Sequence, residues 1–339
     1  MTKNSLSALG TSVPRPSAEP AATMQAAVFT AARTVRIEKV PMPQPGPGQV
    51  RVRLQGCGVC ASNLGPWLGG PWQHYPLAPG APGHEGWGVI DALGENVREH
   101  AIGQRVAVLS QNAYAQYDIA PAAAALPLPP ELDDHPFAGE PLGCAMNIFQ
   151  RSRIAPGQDV AVIGIGFLGA LLTRLCVQQG ARVIAVSRRD FALETARQSG
   201  AHLRLCSEDP SVAARIMEWT GGRGCERVIE AVGMQWALDL AAEITAVRGR
   251  LVIAGYHQDG PRQVNMQQWN WRGIDVINAH ERDADIYLQG IAAAIRAVCE
   301  GRIDPAPLYT HRFSLPELAD AFHTLEKRPE GFLKAWITP

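Results

Sequence analysis

Six residues constrain this chain more than any others: Gly164-Ile165-Gly166-Phe167-Leu168-Gly169. They follow an apolar run, DVAVI, and open FLGALLTRLCVQQG, whose apolar residues recur at helical spacing. A GxGxxG between a strand and a helix is a dinucleotide fingerprint; in other settings it is only a glycine-rich turn. The first glycine permits the tight turn, the second lets the backbone approach a pyrophosphate, and the third lets helix and strand pack closely. The helix N-terminus adds free N–H groups and a positive dipole end. The flanking segments alternate in the same way. ARVIAVS, CERVIEAVG and GRLVIAGY are strand-like, and DFALETARQSGA is helical. Apolar strands without in–out alternation, separated by helices, imply a parallel sheet covered on both faces, a doubly wound Rossmann sheet. Gly164, Gly166, Phe167, Leu168 and Gly169 are therefore expected at the cofactor, with Val232 from the end of CERVIEAVG.

About 20 residues past such a loop, NAD enzymes place an acid that binds the ribose 2′-hydroxyl. Here the strand ends Val186-Ser187-Arg188-Arg189. A carboxylate would repel a 2′-phosphate, whereas a serine hydroxyl and guanidinium groups bind one. The sequence thus favours NADP over NAD, through Ser187, Arg188 and Arg189. Asp190 follows directly and could serve NAD instead.

A chain of 339 residues is long enough for two domains. Before the nucleotide half the pattern is β: AAVFT, TVRIEKV, VRVRLQGCG, WGVIDAL, RVAVLS and YAQYDIA, as in a partly open barrel. After about Val276, IYLQGIAAAIRAVCEGRI and SLPELADAFHTLEK are amphipathic helices, the second capped by Ser314, and GFLKAWITP is a strand returning to the first domain. The expected division is a disordered leader over 1–23, a first catalytic part over 24–146, a nucleotide domain over 147–277 and a return over 278–339. The leader mixes Ser, Ala and Pro, with no apolar stretch behind Lys3 to make a secretory signal. A net charge of −1 gives no electrostatic support for a nucleic-acid or anionic-membrane partner, and no apolar run is long enough to span a bilayer. Seven scattered cysteines argue for reduced thiols and a cytoplasmic protein, not for a disulfide framework.

The first half also carries Cys57-Gly-Val-Cys60-Ala-Ser62-Asn63, then Gly83-His84-Glu85-Gly86, then Glu140-Pro-Leu142-Gly-Cys144. With these motifs, in this order, the chain from Met24 to its end resembles the medium-chain dehydrogenase/reductase superfamily, in its zinc alcohol and polyol dehydrogenase branch. The resemblance implies a GroES-like catalytic domain and one catalytic zinc, with Cys60 as thiolate ligand and His84 as imidazole ligand. The third ligand is Glu140, of the polyol-type Glu-Pro-Leu motif, or Glu85, with Glu140 then holding the metal-bound water; Cys144 is an outside candidate. Three protein ligands and an open fourth position suit a zinc that acts as a Lewis acid. No cysteine lies between Cys60 and Cys144, so the four-cysteine structural lobe of many members is missing and Cys57 is a buried thiol. Ser62 matches the Ser/Thr that accepts the substrate's hydroxyl proton and must pass it onward. Two positions depart from the pattern. Gly65 stands where many relatives have the relay histidine, and Asn63 stands where most have an aspartate that orients the zinc histidine; asparagine can still accept that hydrogen bond, without the charge.

The stretch from Leu64 to Tyr75 holds Trp67, Trp72, His74 and Tyr75, and in the family it lines the substrate cleft; the two tryptophans either form an amphipathic wall there or simply cover the barrel mouth. A small-molecule alcohol or carbonyl substrate is implied, with polyols, sugars or cyclitols preferred through the Glu-Pro-Leu motif. By the same resemblance the protein is a homodimer or homotetramer, joined through the last strand of the nucleotide domain. The competing functions are a zinc-free quinone or enoyl reductase of the superfamily, which needs no Cys–His–Glu set, and a non-catalytic NADP(H)-binding sensor.

Overall fold

The computed structural model describes residues 22–133 and 135–339. The expected leader lies outside the described residues up to position 21, and its last residue, Thr23, already pairs with Pro41 in the first strand. That hairpin joins β1 (Thr23–Ala31) to β2 (Thr34–Pro41). In β3 (Gln49–Val59), Val50, Val52 and Leu54 are buried between more exposed neighbours, and everything from Gly56 to Val59 is buried. The period-two half faces solvent on one side. A short helix, α1 (Leu64–Leu68), follows, and then β4 (Gly86–Leu93) pairs antiparallel with β3. β5 (Arg105–Val108) pairs with β4, β6 (Tyr117–Pro121) returns to β3, and β7 (Ala125–Pro127) closes on β5. This is the GroES-like barrel.

Helix α2 (Gly139–Ser152) leads out of the barrel to a parallel sheet. Its strands are β8 (Asp159–Ile163), β9 (Arg182–Ser187), β10 (Leu203–Cys206), β11 (Cys225–Glu230), β12 (Thr245–Ile253) and β13 (Asp275–Asn278). The crossovers are α3 (Phe167–Gln178), α4 (Asp190–Gln198), α5 (Val212–Trp219), α6 (Gln235–Ile244) and α7 (Met266–Arg272). The spatial order β10-β9-β8-β11-β12-β13 reverses direction between β8 and β11. Ligands of doubly wound sheets bind at that switch point, beyond the carboxyl ends of the strands. All five side chains of β8 are buried, as its lack of alternation requires.

The chain then turns back through α8 (Ala284–Cys299), whose cap Asp283 accepts the N–H groups of Asp285 and Ile286. β14 (Tyr309–Ser314) and α9 (Leu318–Lys327) follow, the helix entered through a Ser314–Glu317 capping box. β15 (Lys334–Thr338) pairs antiparallel with β3, setting Ile337 opposite Cys57. The boundaries drawn at 146/147 and 277/278 fall inside α2 and β13, so the lobes meet through continuous elements. One apolar core spans both, with Trp87 and Leu142 joined to Leu171, Val252 and Ile291. No helix among the described residues is long and apolar enough to cross a membrane.

Candidate active site

The register of two strands assembles the metal-type residues. β3 and β4 run antiparallel with Cys57 opposite Gly86, so the residues just past the end of one lie beside those just before the start of the other. Cys60 leaves β3 into a single 3-10 turn, Ala61–Asn63, while His84 and Glu85 lead into β4. One ligand atom each of Cys60, His84 and Glu85 lie within 4.8 Å of one another. Glu85 is fully buried, and its partner is Lys334 of β15, whose Nζ donates to Oε1 at 2.6 Å and lies 2.5 Å from Oε2. Oε2 has no aligned hydrogen-bond donor. Burial alone would lower the His84 imidazole, but the hydrogen bond and charge of Cys60, with the charges of Glu140 and Glu85, carry it up to about 10. A thiolate, an imidazole and a carboxylate this close make a donor set suited to a borderline-soft divalent cation, and zinc fits it.

Around this cluster Ser62 Oγ donates to Cys60 Sγ at 3.2 Å. Nδ1 of His84 lies 2.9 Å from the Pro82 carbonyl, and Asn63 Nδ2 donates to the same oxygen at 3.0 Å and to Tyr114 Oη at 2.8 Å. The expectation that Asn63 accepts the histidine's hydrogen bond is thus corrected. A backbone carbonyl orients His84, and Asn63 braces that carbonyl. Cys57 is fully buried, which pushes its thiol well up. Beside Gly65, where a β-carbon would come within 3.3 Å of Gln258 Oε1, the Gln258 amide donates to the Ala61 carbonyl.

Glu140, on the first turn of α2, lies outside the tight triad. Its Oε1 accepts from Tyr287 Oη at 2.5 Å and from Cys144 Sγ at 3.4 Å, one helical turn along. Burial first, and then the Glu140 charge, push both the Cys144 thiol and the Tyr287 hydroxyl upward, so both are protonated donors at neutral pH.

At the glycine loop the three roles are distinct. Gly164 has φ +95° and a β-carbon there would strike Val232 Cγ2 at 2.5 Å; one on Gly166 would meet nothing; one on Gly169 would lie 1.9 Å from the Gly164 carbonyl oxygen. Turn, open approach and close packing follow in that order. Phe167, the first residue of α3, lies under Lys334 Nζ at 5.3 Å, and Leu168 is on the same turn. At the end of β9, Ser187 is buried and Arg188 is exposed. The Arg189 guanidinium donates to the Phe332 carbonyl, and burial together with Arg328 and Arg188 lowers it. Arg328, from the end of α9, is depressed by burial and by Arg188. Three guanidinium groups therefore crowd a point where the sequence alone indicated two.

The aromatic wall is half of what was expected. Trp67 is fully buried, stacked on Phe322 and edge-on to Phe29, so it is barrel core and not cleft lining. Trp72 is 61% exposed, His74 is exposed, and Tyr75 donates its hydroxyl to the Pro66 carbonyl. Lys334, Tyr287, Gln258 and Arg328 were not singled out from the sequence. Only Lys334 left a signal, as the one charge in the apolar strand FLKAWIT.

Residues 46–130 match the family model of the alcohol dehydrogenase GroES-like domain, and residues 168–293 match that of the zinc-binding dehydrogenases. The chain belongs to the zinc-binding medium-chain alcohol and polyol dehydrogenases. This dehydrogenase is 26% identical to 2-dehydro-3-deoxy-L-galactonate 5-dehydrogenase of Pseudoalteromonas atlantica, covering 85% of the chain and 91% of the relative. It is 25% identical to sorbitol dehydrogenase of Halalkalibacterium halodurans, over 89% of the chain and 95% of that protein. The crystal structure of 2R,3R-butanediol dehydrogenase from Bacillus subtilis superposes with TM-score 0.80 at 26% identity, covering 93% of this chain and 99% of the other. The dehydrogenase is accordingly an oxidoreductase that uses a nicotinamide cofactor, in a family of zinc enzymes, on a small-molecule substrate.

Proposed function

We propose that this chain oxidises a polyol or sugar-like secondary alcohol, or reduces the matching carbonyl, with NADP(H), at a single zinc held by Cys60, His84 and one carboxylate. The observation that carries the reading is the Cys60–His84–Glu85 cluster, in which Glu85 is fully buried and paired with Lys334, whose ammonium also lies over Phe167 of the intact glycine fingerprint. When bound, zinc supplies Lewis acidity to the substrate's hydroxyl oxygen. Glu85 is the better placed third ligand, because one of its carboxylate oxygens lies within the triad while Glu140 lies outside it. Glu140 then stands at the edge, as a holder of water. Ser62, two residues from Cys60, takes the hydroxyl proton. A serine cannot be the final base near neutral pH, so the proton goes on to solvent past Gly65, where no imidazole stands.

Gly164, Gly166, Phe167, Leu168 and Gly169 cradle the pyrophosphate, with Val232 beside the nicotinamide. Arg188 and Arg328, with Ser187, take the 2′-phosphate; Arg189 is engaged at Phe332 and supports them from behind. Their mutual repulsion is relieved by a bound dianion, which is why NADP is preferred over NAD. The polyol class rests on the relatives that act on sorbitol, butanediol and a sugar acid. Seven free cysteines fit a reducing, cytoplasmic setting. β13, at the edge of the six-stranded sheet, offers its free side to a second copy, and the 90% exposed Trp271 lies on the preceding helix. The experiment is zinc content per chain in chelator-free protein, followed by NADP-linked turnover of polyols. About one zinc with turnover is expected. Folded protein that binds NADPH but holds no zinc would overturn the reading in favour of a zinc-free reductase or a sensor.

A further inference from the structure

Glu140 is nearly buried, and both donors that reach it bind the same oxygen. Tyr287 Oη, from α8, lies 2.5 Å from Oε1, and Cys144 Sγ, one turn further along α2, lies 3.4 Å from Oε1. Tyr287 and Cys144 also touch each other, Oη to Sγ at 3.0 Å. A tyrosine has one hydroxyl proton and a thiol one S–H, and with both directed at Oε1 the Oη–Sγ approach is a contact and not a further donation. Both protons therefore converge on Oε1. No described donor reaches Oε2. The first turn of α2 packs against the strands beside the cluster: a β-carbon on Gly139 would come within 2.7 Å of Ala107 Cβ, and Ala107 pairs with Trp87, two residues past Glu85. A carboxylate with one oxygen saturated and the other bare is pinned about its terminal bond, a torsion that is otherwise broad.

We infer that Tyr287 is a positioning residue for the metal site, holding Glu140 by Oε1 so that Oε2 alone is offered to zinc or to its water. The inference rests on the zinc reading above. It makes α8, an element of the returning segment, part of the metal site, because α8 packs along α2 and delivers the tyrosine across that contact. Outer-shell partners of this kind typically change metal affinity about 10–100-fold when removed.

The test is Tyr287→Phe in the purified zinc protein, which keeps the ring and deletes the donor. Zinc release to an excess of chelator is followed alongside the visible d–d spectrum of the cobalt-substituted protein and the thermal midpoint of the metal-free form. The expected result is zinc release at least about tenfold faster, a shifted cobalt spectrum and an unchanged metal-free midpoint. Cys144→Ala, which removes the weaker donor of the same oxygen, shifts the cobalt spectrum less. Unchanged release and spectrum in Tyr287→Phe would overturn the inference, and so would equal losses in the metal-free midpoint and in zinc retention, which would make the tyrosine merely structural. Wild-type protein without zinc would instead overturn the metal reading itself.

Discussion

At the scale of single residues, the site is organised by charges taken out of water. Glu85 is fully buried and Lys334 nearly so, and removing one partner of such a pair leaves an uncompensated charge that costs about 3–5 kcal/mol. The pair is retained beside Cys60 and His84, where its field is useful to a cation. Cys60→Ser or His84→Ala is therefore expected to abolish both zinc retention and turnover, measured by elemental analysis and NADP-linked assay. Cys57→Ser, at a buried thiol with no place in the triad, should spare both; activity surviving in His84→Ala would sink the ligand assignment. At the other pole, Arg188→Asp sets a carboxylate where the 2′-phosphate belongs. Losing a hydrogen bond to a charged group costs about 1.5–3 kcal/mol, so the NADP/NAD ratio of kcat/KM should fall roughly 10–100-fold. An unchanged ratio would remove Arg188 from the cofactor site. Cys60, His84 and the two arginines were visible in the sequence because each belongs to a local motif. Lys334, Tyr287 and Arg328 were not, because their roles depend on contacts made from segments far along the chain.

At the scale of elements, the legible ones share a property: local pattern and tertiary environment agree. β8 is apolar throughout and buried on both faces, α9 begins at a capping box, and β3 alternates where one face meets solvent. Strand β10 and helices α5 and α6 were not anticipated. LRLC is only four residues, with an arginine in its middle, and it becomes a strand because β9 supplies a parallel partner. For Trp67 the sequence left two readings open for a similar reason. A tryptophan in a glycine- and proline-rich loop looks like cleft lining, yet the aromatic ring of Phe322, which comes from α9, draws it into the barrel core. A close contact joins the first turn of α3 to the loop that leaves β8. Gly169→Ala would place a methyl 1.9 Å from the Gly164 carbonyl, backbone that cannot move without losing the turn. Overpacking of this kind costs about 1–3 kcal/mol, and here the loop absorbs it. Thermal unfolding should fall by several degrees and NADPH affinity, read by fluorescence, should drop with it; a variant with wild-type affinity would mean that α3 does not need its close approach.

At the scale of the whole molecule, one lysine touches the site from both lobes. Lys334 arrives on the last strand, pairs with Glu85 on the barrel side and places its ammonium over Phe167 at the start of α3. The metal cluster and the glycine loop thus share a neighbour, and the question is whether they also share their energetics. Two sites are coupled only to the extent that each biases a common element between two states. Lys334 keeps Glu85 as its partner whether or not a cation sits among Cys60, His84 and Glu85, because the ion pair needs no metal to form. Its position over Phe167 is then the same in both forms, and the glycine loop is held by contacts within the nucleotide lobe, Gly164 against Val232 and Gly169 against Gly164. Stripping the metal with a chelator is therefore expected to end turnover while changing the NADPH dissociation constant less than about tenfold, a coupling below about 1.4 kcal/mol. Fluorescence titration of metal-free and zinc-loaded protein measures it directly. A much larger loss of NADPH affinity in the metal-free form would show that Lys334 leaves Phe167 when the cation is withdrawn, and that this lysine is the two-state element through which one lobe senses the other.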